Sequence, residues 1–200
     1  MKTTIISVLF TTILLISCGK EKEVKLCDGF KLEEPTLKDS LDYEIINTVL
    51  DSIYYNFNHI HINQNTDSYV HIEDLQERLL NHGINIDALT LQNYKKRNDV
   101  SYTFANEFNS NNVYLLGKDE SECLFSGEDA YAKWKNYYKK YNTSSGQYTF
   151  KRPGFSTDKN KAIIEYGWRA AADKGEGYVV ILEKVNDKWT IVHYFVTWVS

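Results

Sequence analysis

The sequence predicts an α+β domain in which N-terminal helices pack on a C-terminal antiparallel β-meander of about four strands. In the first part of the chain, apolar residues recur at three- and four-residue spacing, which is typical of amphipathic helices. In the last quarter, β-branched and aromatic residues alternate with turn residues, which is typical of strands. The composition, 42% hydrophobic and 25% charged with 2 prolines, is that of a folded protein.

Residues 1–17, ahead of the domain, have the pattern of a signal peptide. Lys2 supplies a positive charge, and an almost unbroken apolar run extends from Ile5 to Ile16. The run is too short for a transmembrane helix, which needs about 20 apolar residues. Its end, Leu15-Ile16-Ser17-Cys18, resembles the lipobox of bacterial lipoproteins, in which the cysteine thiol receives a diacylglycerol before cleavage on its N-terminal side.

This resemblance implies a place for the protein in the cell. Lipid on Cys18 would hold it to a membrane of the cell envelope, and Gly19, in place of Asp, implies the outer membrane, facing the periplasm or the cell surface. Residues 18–38 carry many charges and little periodicity, so we expect a tether between the lipid and a single domain at residues 39–200.

Four helices are predicted in this domain. The clearest extends from Leu41 to Phe57, with Asp39 or Ser40 as N-cap. The next contains Ile72, Leu75 and Leu79 and stops at Gly83; a third begins at Asp87 and extends through Lys96; the last covers Glu128 to Tyr141. Residues 101–116 give no firm element.

The predicted strands are Gln147 to Lys151, Lys161 to Ala170, Gly177 to Val185 and Lys188 to Val199. Short connections, among them the tight Asn186-Asp187 turn, favour antiparallel neighbours. On the second strand, Glu165 and Arg169 point away from the apolar residues. One face should therefore pack on helices while the other is partly wet.

The segment from residue 125 to 200 carries a recognisable set of residues, which is Trp134, Tyr141, Ser145, Tyr148, Phe150, Arg152-Pro153-Gly154-Phe155, Ala162, Tyr166, Gly175-Glu176-Gly177, Leu182-Glu183-Lys184, Lys188-Trp189 and Trp198-Val199-Ser200. With these residues it resembles the closing half of a group of uncharacterised bacterial proteins, many of them lipoproteins. The resemblance implies no known activity. A curved sheet wrapped on helices would also resemble the cone-shaped nuclear-transport-factor-2-like fold, which hosts both enzymes and binding proteins.

Charge and motifs exclude several functions. The formal net charge is −4, and loss of Lys2 makes the mature chain one unit more negative, which argues against a nucleic-acid partner. The chain has no G-x-S-x-G, H-E-x-x-H or C-x-x-C motif and no phosphate loop, and we expect no cofactor.

Three constellations remain open to two interpretations each. On an extended strand, His59-Ile60-His61 would place two imidazoles on one side and could chelate zinc or copper with His71 or Asp67, but the stretch also suits a solvated turn, and we expect no metal site. The aromatic residues of the helix around Trp134 could stack on sugars or belong to the core. Glu165 and Arg169, with Glu183 across from them, could form an acid/base or substrate-clamping set or an exposed ion pair.

A disulfide and a set of binding residues are expected outside those constellations. Because lipid consumes Cys18, Cys27 and Cys123 remain as two thiols in an oxidising compartment; we expect a disulfide, the alternative being two free thiols. The connection Ala172 to Glu176 lies beside strands rich in Trp and Tyr, so Asp173, Lys174 and Glu176 are the candidate binding residues.

Together these patterns favour a non-enzymatic binding or accessory module of the envelope, whose partner is an envelope protein or a glycan. Two alternatives remain: an envelope hydrolase with a pocket between helices and sheet, and an immunity-type protective lipoprotein.

Overall fold

The computed structural model describes residues 27–53, 59–127 and 129–200. The helices in these ranges are α1 (Ser40–Ile53), α2 (Ile72–Asn81), α3 (Ala88–Arg97), α4 (Lys118–Leu124) and α5 (Ala130–Lys140). The strands are β1 (His59–Asn63), β2 (Val113–Leu116), β3 (Ser144–Phe150), β4 (Gly154–Phe155), β5 (Lys161–Ala171), β6 (Lys174–Val185) and β7 (Lys188–Val199). None of these helices is long and apolar enough to cross a membrane. The predicted signal peptide, Cys18 and the end of the first predicted helix at Phe57 lie outside the described residues.

All the strands belong to one mixed sheet with the order β2-β1-β3-β5-β6-β7, and β4 pairs with β5. Strand β1 runs parallel to β2 and to β3, while β5, β6 and β7 form an antiparallel meander. The α+β class is confirmed. The predicted count of about four strands is too low, because the described residues form a sheet of 7 strands, of which β1 and β2 precede the predicted meander.

Local sequence signals account for the helix boundaries. The Asp87 carboxylate caps α3 by accepting a hydrogen bond from the Thr90 amide at 2.9 Å, and Asp129 caps α5 by accepting one from the Tyr131 amide at 2.9 Å. Asn186 and Asp187 have φ of 51° and 62°, the left-handed backbone that a tight hairpin turn requires.

Helices cover both faces of the sheet. On the first face, hereafter the α1 face, α1 packs against alternate strand residues, which are Tyr148, Phe150, Ala162, Ile164, Val180 and Leu182. On the opposite face, hereafter the α3 face, α2 and α3 pack on Ile163, Val179, Ile181 and Phe195. The expectation that helices cover only one face is therefore wrong, because Ile163, Val179 and Ile181 supply a second apolar surface.

A buried ion cluster joins α1 and α3 to the loop after β3. Asp42 is fully buried; its carboxylate accepts a hydrogen bond from Arg152 Nε at 2.8 Å and pairs with Arg97. The two guanidinium groups lie over the rings of Tyr102 and Phe155. Because two cations surround one buried carboxylate, removal of that carboxylate would leave both without their main partner.

The described part of the predicted tether, residues 27–38, lies on the domain. Cys27 and Cys123 form a disulfide, with a Cα–Cα distance of 5.9 Å, and Leu37 is 2% exposed. The Gln64 side-chain amide bonds both the N–H and the C=O of Glu33, at 2.9 and 2.8 Å. Residues ahead of Asp39 are therefore attached to the domain by a disulfide, a buried leucine and backbone hydrogen bonds, none of which the charge pattern of the sequence indicates.

Candidate functional site

Two pockets lie on opposite faces of the sheet, at the end where β5, β6 and β7 carry aromatic residues. The polar pocket, on the α3 face, measures about 330 Å³ and is lined by Asp67, Gln147, Thr149, Lys151, Glu165, Tyr166, Gly167, Arg169, Thr197 and Trp198. The aromatic pocket, on the α1 face, measures about 510 Å³ and is lined by Ser52, Ile53, Tyr148, Tyr166, Trp168, Glu176, Tyr178, Val180, Ile191 and Tyr194. Both volumes suit a small ligand.

Glu165 is the most constrained charge of the polar pocket. Its carboxylate accepts a hydrogen bond from Tyr94 Oη at 2.9 Å and lies 3.3 Å from Lys151 Nζ. Complete burial, reinforced by the Glu165 charge, raises the pKa of Tyr94 well above its ordinary value, so that the hydroxyl stays protonated and donates to the carboxylate. Lys151 Nζ also lies 3.9 Å from Asp67, so one ammonium stands between two carboxylates.

Trp198 forms an aromatic floor in the same pocket. Gly167, Gly177 and Trp198 are directly paired across β5, β6 and β7. A Cβ at Gly177 would lie 1.9 Å from Trp198 Nε1, so the indole rests directly on the glycine backbone, in space that any side chain would fill. The indole remains 37% exposed, and the Arg169 guanidinium lies 5.1 Å from its centroid.

A β-bulge places this indole on the α3 face. Val196 pairs with Tyr178, and Trp198 pairs with the preceding residue of β6, Gly177, so Thr197 is the extra residue. Simple alternation would put Trp198 on the face of Val196; the bulge transfers it to the other face. Sequence alternation alone therefore could not place Trp198 in the polar pocket.

The structure brings together two of the three residues in the predicted acid/base set. Glu165 and Arg169 both line the polar pocket, as their shared face predicts. Glu183 does not belong with them, because it pairs with Lys161 at the start of β5, with 2.8 Å between Oε1 and Nζ. Among the residues that the structure describes, the Arg169 guanidinium has no carboxylate partner, which leaves it available to a ligand.

The aromatic pocket has tyrosine walls and one carboxylate. The rings of Tyr166 and Tyr178 are stacked, with centroids 4.9 Å apart and 17° between their planes, and Tyr148 lies 6.4 Å from Tyr166. Tyr178 Oη donates a hydrogen bond to the Glu176 carboxylate. Burial raises the pKa of Tyr148 to about 12, and burial together with Glu176 raises that of Tyr178 to about 12, so both hydroxyls are neutral donors.

Of the three candidate binding residues, only Glu176 lines this second pocket, and the three do not share one loop. Strand β6 begins at Lys174, so Lys174 and Glu176 belong to the strand and the connection is shorter than predicted. Glu176 lines the aromatic pocket, and Lys174 Nζ lies 5.5 Å from the centroid of Trp168, another lining residue. Asp173, in the turn, accepts a hydrogen bond from Tyr131 Oη at 3.3 Å and lines neither pocket.

The histidine pair forms a strand and not the solvated turn considered from the sequence. His61 is 4% exposed, and its Nδ1 lies 2.9 Å from Tyr137 Oη. The edge of the Tyr114 ring packs against both His59 and His61. No cluster of three or more His, Cys, Asp or Glu side chains within the described ranges could hold a metal ion.

The aromatic residues of α5 belong to a small core of their own. Trp134, Tyr138 and Tyr141 pack around fully buried Tyr137 with Leu116 and Leu124, beside the disulfide. Tyr138 Oη donates a hydrogen bond to the Ala170 carbonyl at 2.9 Å, which ties the helix to β5. These contacts favour the core interpretation of the helix over a sugar-stacking face.

The polar pocket therefore combines an exposed indole with two acidic and two basic side chains, and the aromatic pocket combines tyrosine walls with one carboxylate. No protein-family model, curated protein or solved structure matches the chain.

Proposed function

We propose that the protein is an envelope lipoprotein, anchored in the outer membrane by lipid on Cys18, whose domain binds a glycan in the polar pocket. The membrane is then its partner through the anchor, and the domain is a binding module without catalytic activity. The observation that carries the proposal is the exposed indole of Trp198, which lies on Gly167 and Gly177 beside Arg169.

The chemistry of the pocket fits a sugar. A pyranose ring has C–H groups on its faces and hydroxyl groups around its edge, so it needs an aromatic surface below and hydrogen-bonding side chains beside it. Trp198 supplies the surface, and Glu165, Lys151 and Arg169 supply carboxylate acceptors and cationic donors. The volume of about 330 Å³ gives room for one or two sugar units.

The site is built for rigidity, which limits the entropy lost on binding. Glu165 is held by Tyr94 from α3, and the Thr197 carbonyl accepts a hydrogen bond from Arg78 Nη1 of α2 at 2.8 Å. Side chains that are fixed before the ligand arrives lose little freedom when it binds.

Glycan binding is tested with peptidoglycan fragments and outer-membrane polysaccharide, titrated into wild type and into Trp198→Ala. Loss of the stacking surface should weaken binding by at least about tenfold, as expected for a buried aromatic contact. The matched control is Tyr194→Ala, which removes another exposed aromatic residue of β7, on the opposite face. Equal affinity of the three proteins would contradict the proposal.

The anchor is tested by Cys18→Ser. Because the Lys and Glu residues near Cys18 nearly cancel, electrostatic attraction to lipid is negligible, and the variant should leave the membrane fraction. A Cys18→Ser protein that is still cleaved at Ser17 and still sediments with membranes would refute the lipid anchor.

An envelope hydrolase is the second candidate, favoured by one observation: Glu165 and Asp67 both lie next to Lys151 in the polar pocket. The same fragments, incubated with wild type and Glu165→Gln, separate the two functions. Cleavage by wild type that disappears in a folded Glu165→Gln would assign the pocket to hydrolysis. Binding without cleavage supports the binding module.

A further inference from the structure

We infer that the aromatic pocket is a second ligand site, which binds a small organic cation with an alkylammonium group against the tyrosine rings beside Glu176. The polar pocket lies on the other side of the sheet and has a different charge pattern, so this site does not depend on the proposed glycan site.

The walls of the pocket have the surface that an alkylammonium group prefers. Five aromatic residues line it, which are Tyr148, Tyr166, Trp168, Tyr178 and Tyr194. Tyr166 is stacked against both Phe150 and Tyr178, so the other four rings are the ones that can turn a face to a ligand. Such faces carry partial negative charge, and they attract a cation whose methyl groups also need an apolar environment. Tyr194 stands at the rim, 71% exposed, while Tyr148 is 2% exposed, so the rings extend from the entrance to the bottom of the pocket.

The Glu176 carboxylate favours a ligand of positive charge. Glu176 is the sole ionisable carboxylate among the lining residues, and within the described part of the chain it has a hydrogen bond from Tyr178 but no cationic partner. A half-buried carboxylate without a counter-ion attracts a cation more strongly than an exposed one, because less water screens it. A neutral ligand would leave this charge uncompensated.

Lys174 already makes a cation–π contact with Trp168, one of the rings that line the aromatic pocket. Lys174, Glu176 and Tyr178 alternate along β6, so their side chains share the α1 face. Lys174 Nζ lies 5.5 Å from the Trp168 centroid, which shows that this ring accepts a cation. A ligand cation must enter beside this charge, so Lys174 should weaken binding where Glu176 strengthens it.

The test compares two probes of the same shape in the protein as the host cell produces it. Choline and its neutral carbon analogue, 3,3-dimethylbutan-1-ol, are titrated separately and followed by calorimetry and tryptophan fluorescence. Choline should bind at least about fivefold more tightly than the alcohol, since only the cation gains from the rings and from Glu176. Equal affinities, or no binding of choline, would overturn the inference, and this comparison needs no variant to fold.

Two variants with opposite expected effects sharpen the test. Glu176→Gln should weaken choline binding by about tenfold and leave the alcohol unchanged, whereas Lys174→Gln should strengthen choline binding by about twofold to threefold. The matched control is Glu183→Gln, a carboxylate of the same strand that pairs with Lys161 outside the pocket. If Glu176 only supports the structure of the pocket, Glu176→Gln should weaken the binding of choline and of the alcohol alike, and that result would also overturn the inference. Trp198→Ala should leave choline binding unchanged, so failure of one site is distinguishable from failure of the other.

Discussion

Acid should destabilise the fold through one buried histidine, His61 of β1. The ring is enclosed by Tyr114 from β2, by Tyr137 from α5 and by Tyr141, which follows α5. Burial first, and then the charges of His59 and Lys140, lower the pKa of His61 from 6.5 to about 4. The folded protein therefore holds a neutral imidazole at a pH at which the unfolded chain holds an imidazolium.

The sign and size of the effect follow from proton linkage. Between pH 6.5 and 4 the unfolded state binds more protons than the folded state, so the free energy of unfolding falls as the pH falls. Above pH 6.5 the group contributes no pH dependence, and below pH 4 the loss is complete. With these two pKa values, the change from pH 7.5 to pH 4.5 costs about 2 to 3 kcal/mol.

The measurement is urea unfolding at pH 7.5 and pH 4.5, followed by tryptophan fluorescence, for wild type and His61→Gln. Other acid-sensitive groups act on both proteins, so the difference between their pH effects isolates His61. His61→Gln should lose about 2 to 3 kcal/mol less than wild type between the two pH values. His193→Gln, at an exposed position of β7, should behave as wild type does. Identical pH dependence of His61→Gln and wild type would refute the buried neutral imidazole.

Three further stability changes are expected. The disulfide Cys27–Cys123 closes a separation of 96 residues, so reduction should lower the free energy of unfolding by about 4 to 5 kcal/mol, and unfolded, unreduced protein should show neither of these thiols in a thiol assay. Asp42→Asn should cost about 3 to 5 kcal/mol in chemical unfolding, because Arg97 and Arg152 lose their buried carboxylate and keep only the more exposed Asp39, and an equal loss in the exposed control Asp51→Asn would contradict this. Gly177→Ala should cost more than 1 kcal/mol, since its methyl group would displace the indole above it, and an unchanged thermal midpoint would argue against that packing.

The helices and strands that could be predicted are those whose own residues show apolar spacing, alternation, a cap or a turn. Helices α2 and α3 were found because apolar spacing and the Asp87 cap are local properties, and the antiparallel β5, β6 and β7 were found because alternation and turn residues are local too. Helix α4 was missed, since only Leu124 of its seven residues is buried. Strand β1 was missed because its histidines suggested solvent, although a shell of tyrosines buries them.

The same difference applies to the candidate sites: local patterns placed some residues correctly, whereas residues whose position depends on strand pairing were misplaced or missed. Glu165 and Arg169 were placed on one face by alternation, and Glu176 was found near a turn. Glu183 was misplaced because its partner depends on the register of two strands. Trp198 was missed because the bulge at Thr197 moves its indole to the other face, and a bulge is a property of strand pairing that no local pattern reveals.

The position of β1 has a consequence for how the chain folds. This strand lies between β2 and β3, and His61 pairs with both Tyr114 and Gln147, so the β2-β1-β3 side of the sheet is assembled from segments that are far apart in the sequence. Such non-local pairing slows folding, because the intervening chain must lose its freedom before the strands gain their bonds. Residues 125–200 on their own would leave β3 as an open edge, with backbone groups ready to pair with another chain. The C-terminal half is therefore not a module that can be moved between proteins: it needs a strand from the first third of the sequence to close it.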